Sequence, residues 1–126
     1  MSPRPTPVRT AVTLEHATAA AVSGTVELAA DDPMFTGHYP GFPVLPGAYL
    51  VELVDQTVRA GTQGELTLTE LGRCRFRSPA RPGDRLAIGC GLDDSGDLLR
   101  VRAEVEVRGE DRVVADLRMS YARTES

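Results

Sequence analysis

The chain has 126 residues, room for one domain around one core, with the hydrophobic (41%) and charged (25%) content of an ordinary globular protein. Its formal net charge of −4 and its lack of tryptophan argue against the basic, aromatic-bearing face that nucleic acid requires. All 14 basic residues are arginine, which excludes mechanisms built on a lysine nucleophile or Schiff base.

In chain order, residues 1–10, MSPRPTPVRT, carry three prolines and no apolar core, the composition of a flexible arm and of neither a signal peptide nor a membrane span. Val12–Leu14 and Ser23–Leu28 read as short strands, the second by alternation of Gly24, Val26 and Leu28 with polar neighbours. The loop from Met34 to Pro46 is stiffened by Pro40, Pro43 and Pro46, each of which fixes its own φ and holds its predecessor extended. A helix is predicted from Gly47: Leu50, Val51, Val54 and Val58 recur at helical spacing, Leu53 and Thr57 widen the stripe, and Gly61 ends it. A helix so broadly apolar needs cover on most sides.

The remainder is strand after strand. ELTLTELGRCRFRSP places Leu66, Leu68, Cys74 and Phe76 in phase, with Gly72 marking either a bend or a close backbone approach. DRLAIGCGL offers Leu86, Ile88, Cys90 and Leu92 to a core. LLRVRAEVEVRG alternates Leu99, Val101, Ala103, Val105 and Val107 with charged residues, and DRVVADLRMSYA turns Val113, Ala115, Leu117, Met119 and Tyr121 inward. RPGD, DDSGD and RGED supply the turns. One helix can be covered this way only by a sheet that curls around it, so the expected fold is α+β: a strongly curved antiparallel sheet wrapped around one central helix, over residues 11–122, with 123–126 as a tail. Cys74 and Cys90 lack metal-ligand spacing and read as buried, reduced thiols in a cytoplasmic protein. No metal or other cofactor is expected, and no segment suits a membrane.

Glu52 stands among Leu50, Val51 and Leu53, where a carboxylate is costly unless compensated or put to use. The segment leading to it, GHYPGFPVLPGAYLVE (Gly37 to Glu52), closely resembles the signature of the FabZ-type β-hydroxyacyl-acyl-carrier-protein dehydratases, roughly GHFPGxPVxPGVLxxE, with the same spacing from histidine to glutamate. FRSPARPGDRL, Phe76 to Leu86, resembles the family's second landmark, FxxPVxPGD. With the order of elements, the likeness spans about Val12 to Ala122. It implies the hotdog fold, a homodimer, and an active site at the subunit interface where the histidine of one subunit meets the acid on the partner's helix. By position these are His38 and Glu52, with Gly47 as the backbone donor to the thioester carbonyl.

The chemistry fits these residue types. Dehydration of a 3-hydroxyacyl thioester needs a base for the C2 proton, an acid for the departing C3 hydroxyl and a donor for the carbonyl oxygen. His38 can accept the proton, a desolvated Glu52 with raised proton affinity can donate to the hydroxyl, and a helix-start amide at Gly47 can serve the oxygen. The duller alternatives are a hydrogen-bonding loop histidine, a glutamate that snorkels or pairs with arginine, and glycines and prolines that only shape a turn. Those alternatives leave the coincidence of both ionisable groups with the motif unexplained.

Gln56, one helical turn past Glu52, is a candidate orienting residue. Tyr39, Phe42 and Tyr49 depart from the family's usual residues and are candidates for reshaping the acyl tunnel. Asp55, where a small residue is common, is expected to raise the proton affinity of Glu52 if the two carboxylates approach. His16 reads as a surface residue. Arg73, Arg75, Arg77, Arg81 and Arg85 form either a docking patch for an acidic acyl carrier protein, bearing the acyl chain on phosphopantetheine, or an ordinary solvated strand face. A hotdog thioesterase, and a noncatalytic subunit that forms a heterodimer with a related dehydratase chain, stand as alternatives to the dehydratase reading.

Overall fold

The computed structural model describes residues 12–29, 45–62 and 65–124. They form β1 (Thr13–Ala17), β2 (Ala21–Glu27), α1 (Gly47–Gly61), β3 (Glu65–Phe76), β4 (Arg85–Asp93), β5 (Leu98–Val107) and β6 (Arg112–Thr124). The strands make one antiparallel sheet in the order β1-β2-β4-β5-β6-β3, leaving β1 and β3 at its edges. This is the expected α+β arrangement, with the first two strands set slightly differently from the sequence prediction.

The core lies between the helix and one face of the sheet. Leu50, Leu53, Val54 and Val58 of α1 meet Val22, Leu86, Ile88, Val101, Val105 and Leu117 in a single buried cluster. Leu53 is fully buried, so Leu53→Ala should cost about 2–5 kcal/mol through lost transfer energy and a residual cavity. Thr57 joins this apolar face because its hydroxyl donates to the Leu53 carbonyl at 2.9 Å, satisfying the buried oxygen within the helix. Gly61 ends α1 directly against Val22, where any Cβ would collide with the valine methyls.

Alternation holds cleanly along β4 and β5, as read from the sequence. On β6 it slips once. Val105 pairs with Ala115 but Glu106 with Val113, so Val114 is an extra residue in the ladder and is buried, while Val113 is only half-buried. The freed Val114 carbonyl accepts from Arg77 N–H at 2.8 Å. The expectation that Val113 faces the core is therefore corrected by this bulge, which the uninterrupted apolar alternation does not announce.

β3 departs further. Leu66 is buried and Cys74 half-buried, but Leu68, Leu71 and Phe76 are 36%, 47% and 53% exposed. Its pairing with β6 shifts between Leu68 and Glu70 and again between Leu71 and Cys74, around Gly72, read from the sequence as a bend or a close backbone approach. Period-2 reasoning carries the whole strand into the core, but an edge strand interrupted twice turns part of its apolar face outward. Burial pushes the Cys90 thiol up from 9.0 to about 12 and that of Cys74 up as well, and both cysteines are free.

Candidate active site

α1 opens at Gly47, immediately after Pro46, whose φ of −62° and ψ of 146° are extended. Pro46 offers no side-chain cap and none is made among the described residues, so N–H groups of the first turn and the positive end of the helix dipole face the space ahead. That space is a cleft of about 420 Å³, lined largely by apolar surface from Leu45, Leu50, Phe76, Pro79 and Ala80 together with Ser78.

The two sequence landmarks meet here. Leu45 N–H donates to the Ala80 carbonyl at 2.7 Å, tying the approach to α1 to the segment after β3. The Phe76 ring lies over Gly47 so closely that a Cβ on residue 47 would sit 2.9 Å from the ring Cζ. The ring occupies the space a side chain at 47 would take, so glycine lets the two landmarks approach this closely.

The second landmark is itself held firmly. Gly83 takes a positive φ of 88° in the RPGD turn, where Arg81 N–H donates to the Asp84 carboxylate at 2.9 Å. Gly83 N–H donates to the Leu28 carbonyl at 2.7 Å, and Leu28 N–H to the Asp84 carbonyl at 2.8 Å. Arg112, from the start of β6, donates to the Pro79 carbonyl at 2.6 Å and to Ser78 Oγ at 3.1 Å, and its other Nη reaches Asp84 at 3.5 Å. Nothing in the local sequence around Arg112 signals this role; it depends on β6 starting beside the turn.

Glu52 and Gln56 are both half-buried on α1, one helical turn apart on one face. Tyr49 is half-buried and packs against the core. His38, Tyr39 and Phe42 lie outside the described residues. Asp55 is committed elsewhere: its carboxylate accepts from the Tyr121 hydroxyl at 2.6 Å and from Arg59 Nε at 2.9 and 3.0 Å. Arg59 also donates to the Leu66 carbonyl at 2.7 Å and lies 5.5 Å from the centre of the Tyr121 ring. The carboxylate foreseen as a neighbour that loads Glu52 with a proton is thus engaged by a cation and a phenol. Burial, then the bond to Asp55, pushes the Tyr121 hydroxyl well above its ordinary range.

The arginines singled out in the sequence are divided. Arg75 and Arg77 both reach Asp116, at 3.8 and 2.6 Å, and the Arg77 hydrogen bond holds that carboxyl below its usual value. Arg85 lies on β4, separated from β3 by two strands, and approaches Glu27 at 3.9 Å. Arg81 belongs to the RPGD turn, and Arg73 stays on β3 among a different set of arginines. His16 is exposed on β1, as expected. Among the described residues no cluster of His, Cys, Asp and Glu could hold a metal ion, and no helix is long and apolar enough to cross a membrane.

Residues 14–116 match the family model described as ApeI-like, ApeI dehydratase. The chain is 32% identical over 109 residues to the 3-hydroxyacyl-[acyl-carrier-protein] dehydratase FabZ of Thermoanaerobacter sp. (strain X514), covering 81% of this chain and 76% of that one. It is 40% identical over 73 residues to the FabZ of Allorhizobium ampelinum, covering 52% and 47%. Among solved structures, the dehydratase heterocomplex ApeI:P from Xenorhabdus doucetiae superposes with a TM-score of 0.74 at 19% identity, covering 91% of this chain and 99% of that one. The E. coli PaaI protein of the phenylacetic acid degradation operon gives 0.73 at 19% identity, covering 89% and 82%. At such identities the structural likenesses establish the hotdog fold, and the sequence matches establish the family. With both landmarks joined at the start of the central helix, the chain belongs to the FabZ/ApeI-like family of hotdog dehydratases.

Proposed function

We propose that the protein removes water from a 3-hydroxyacyl thioester, carried on an acyl carrier protein, to give the trans-2-enoyl thioester. The observation that carries this reading is the start of α1 at Gly47, uncapped among the described residues and lining an apolar cleft formed where the two family landmarks meet. In the proposed reaction the thioester carbonyl accepts from the Gly47 N–H, which stabilises enolate character as the C2 proton leaves. His38 takes that proton. Glu52, from the helix of a partner chain, donates a proton to the departing C3 hydroxyl, and the C2–H electron pair becomes the C2–C3 double bond as water leaves.

The decisive measurement is mass spectrometry of a 3-hydroxyacyl carrier protein incubated with the purified chain. The dehydratase reading expects loss of one water with the acyl group retained; release of a free carrier thiol would instead identify a thioesterase, an activity named for some hotdog neighbours such as the hypothetical thioesterase of Streptococcus pneumoniae. His38→Ala and Glu52→Gln should each lower hydration of an enoyl thioester by at least about a hundredfold while leaving thermal unfolding unchanged. Full activity in either variant removes that residue from the mechanism.

A second reading concerns the partner. The ApeI:P neighbour is a heterocomplex, and β3 leaves an open edge with Leu68, Leu71 and Phe76 exposed. The complementary subunit is then either a second copy or a related hotdog chain. If the pure chain is inactive and a related chain restores dehydration, the heteromeric form is the working one.

A further inference from the structure

The outward face of the sheet carries a feature that the proposed reaction does not use. β5 and β6 alternate core and exposed residues, so Arg100, Arg102 and Arg118 project away from α1. Arg102 and Arg118 are direct cross-strand partners. Arg73, in the irregular stretch of β3, completes a set of four that lines a groove of about 440 Å³. The other described arginines, Arg81 apart, each form an ion pair. Among the described residues none of these four makes an ion pair within 4 Å, although Asp93 stands directly across the β4–β5 ladder from Arg100 and feels the charge of Arg100 and Arg102, as Asp116 feels that of Arg73.

Such an arrangement is unfavourable by itself, since like charges directly opposite on neighbouring strands repel. The groove's acids are Glu70 and Asp93. Asp93 accepts from Ser95 Oγ at 2.6 Å and Ser95 N–H at 3.0 Å, hydrogen bonds that hold it ionised below its ordinary value. Within the groove itself four cations face two carboxylates, while Glu104 and Asp116 adjoin Arg102 and Arg118 on the neighbouring stretch of the same face. Small residues keep the groove deep: a Cβ at Gly72 would crowd the Arg118 backbone and Cβ at 3.4 Å, and one at Gly91 would have only the Arg102 carbonyl nearby, at 3.9 Å.

We propose that this groove binds a small phosphate-bearing ligand, with Arg102 and Arg118 gripping its oxygens and Arg73 and Arg100 flanking it. Planar guanidinium forks match phosphate oxygens two at a time, and several converging from three strands suit more than one negative charge. A recess of this size accommodates a small molecule, whereas a protein surface would be met by a flatter patch. The site lies on the opposite side of the sheet from the Gly47 cleft, so it stands or falls independently of the proposed reaction.

The test is calorimetric titration of the full chain with inorganic pyrophosphate at about 0.15 M salt, where surface charge is already largely screened. Saturable binding is expected, weakened at least about tenfold in the Arg102→Ala, Arg118→Ala double variant, which loses the charge-assisted bonds. Gly91→Leu should weaken it similarly by filling the floor with every arginine in place. Arg108→Ala, which removes an outward arginine paired with Glu15 elsewhere on the sheet, should bind as the parent does. The proposal is overturned if the parent shows no saturable binding, if both groove variants bind undiminished, or if an acidic carrier protein uses these arginines while pyrophosphate does not bind.

Discussion

Gly47 combines two demands at one backbone position: room beneath the Phe76 ring, and, in the proposed reaction, an N–H for the thioester carbonyl in the cleft it lines. Substitution can separate them. Gly47→Ala keeps the N–H and introduces the clash, which the half-exposed ring can relieve by turning. Gly47→Pro introduces a similar clash and deletes the N–H, yet proline is well tolerated as a first helical residue, and the extended Pro46 is already in the conformation required ahead of one. Both variants should fold with similar melting temperatures. The alanine form is expected to keep dehydratase activity within about tenfold of the parent, and the proline form to lose a further hundredfold or so, the usual effect of removing an oxyanion donor. Equal activities would show that this amide does not serve the carbonyl.

The central helix is held against the sheet by more than its apolar stripe. Asp55 accepts from Tyr121 of β6, while Arg59 joins the same carboxylate to the Leu66 carbonyl of β3, so three elements are bound at one polar junction. Tyr121→Phe deletes one hydrogen bond to a charged acceptor and should cost about 1.5–3 kcal/mol in urea unfolding. Asp55→Ala leaves the buried Tyr121 hydroxyl without this acceptor and should cost at least as much. Because Glu52 lies one turn earlier on the same helix, both variants should also lower kcat more than they raise KM if the junction sets its placement. Arg112 acts comparably on the second landmark: Arg112→Ala frees the Pro79 carbonyl and Ser78 and should lower activity several-fold with α1 intact, measured alongside the helical circular dichroism.

For the molecule as a whole, the open edge of β3 is the feature that asks for a partner. Sedimentation of the parent chain should show a dimer, and Leu68→Arg with Leu71→Arg should shift it to monomer and abolish dehydration. A fully active monomeric variant would contradict a site shared between chains. Overall stability should also fall at alkaline pH. Cys90 is buried with its folded pKa raised from 9.0 to about 12, so its contribution is fully present below pH 9 and is lost as pH rises toward 12, at about 1.4 kcal/mol per pH unit. Tyr121, also raised, adds to the loss above pH 10. In Cys90→Ala the slope between pH 9 and 10 should be markedly reduced, with Cys74 supplying what remains.

Local pattern was sufficient for much of this protein. Helical spacing from Leu50 to Val58, period-2 alternation along β4 and β5, and the glycine-bearing turns specify the helix, the strands and the curved sheet, because each signal arises from neighbours within a few residues. The helix start at Gly47 and the likeness at the two landmarks were legible for the same reason. The bulge at Val114, the outward turn of β3, the capture of Asp55 by Tyr121 and Arg59, the Arg112 clasp and the four-arginine groove were not. Each joins residues far apart in the chain, and side-chain register across a sheet is settled by tertiary packing, which no short stretch of sequence encodes.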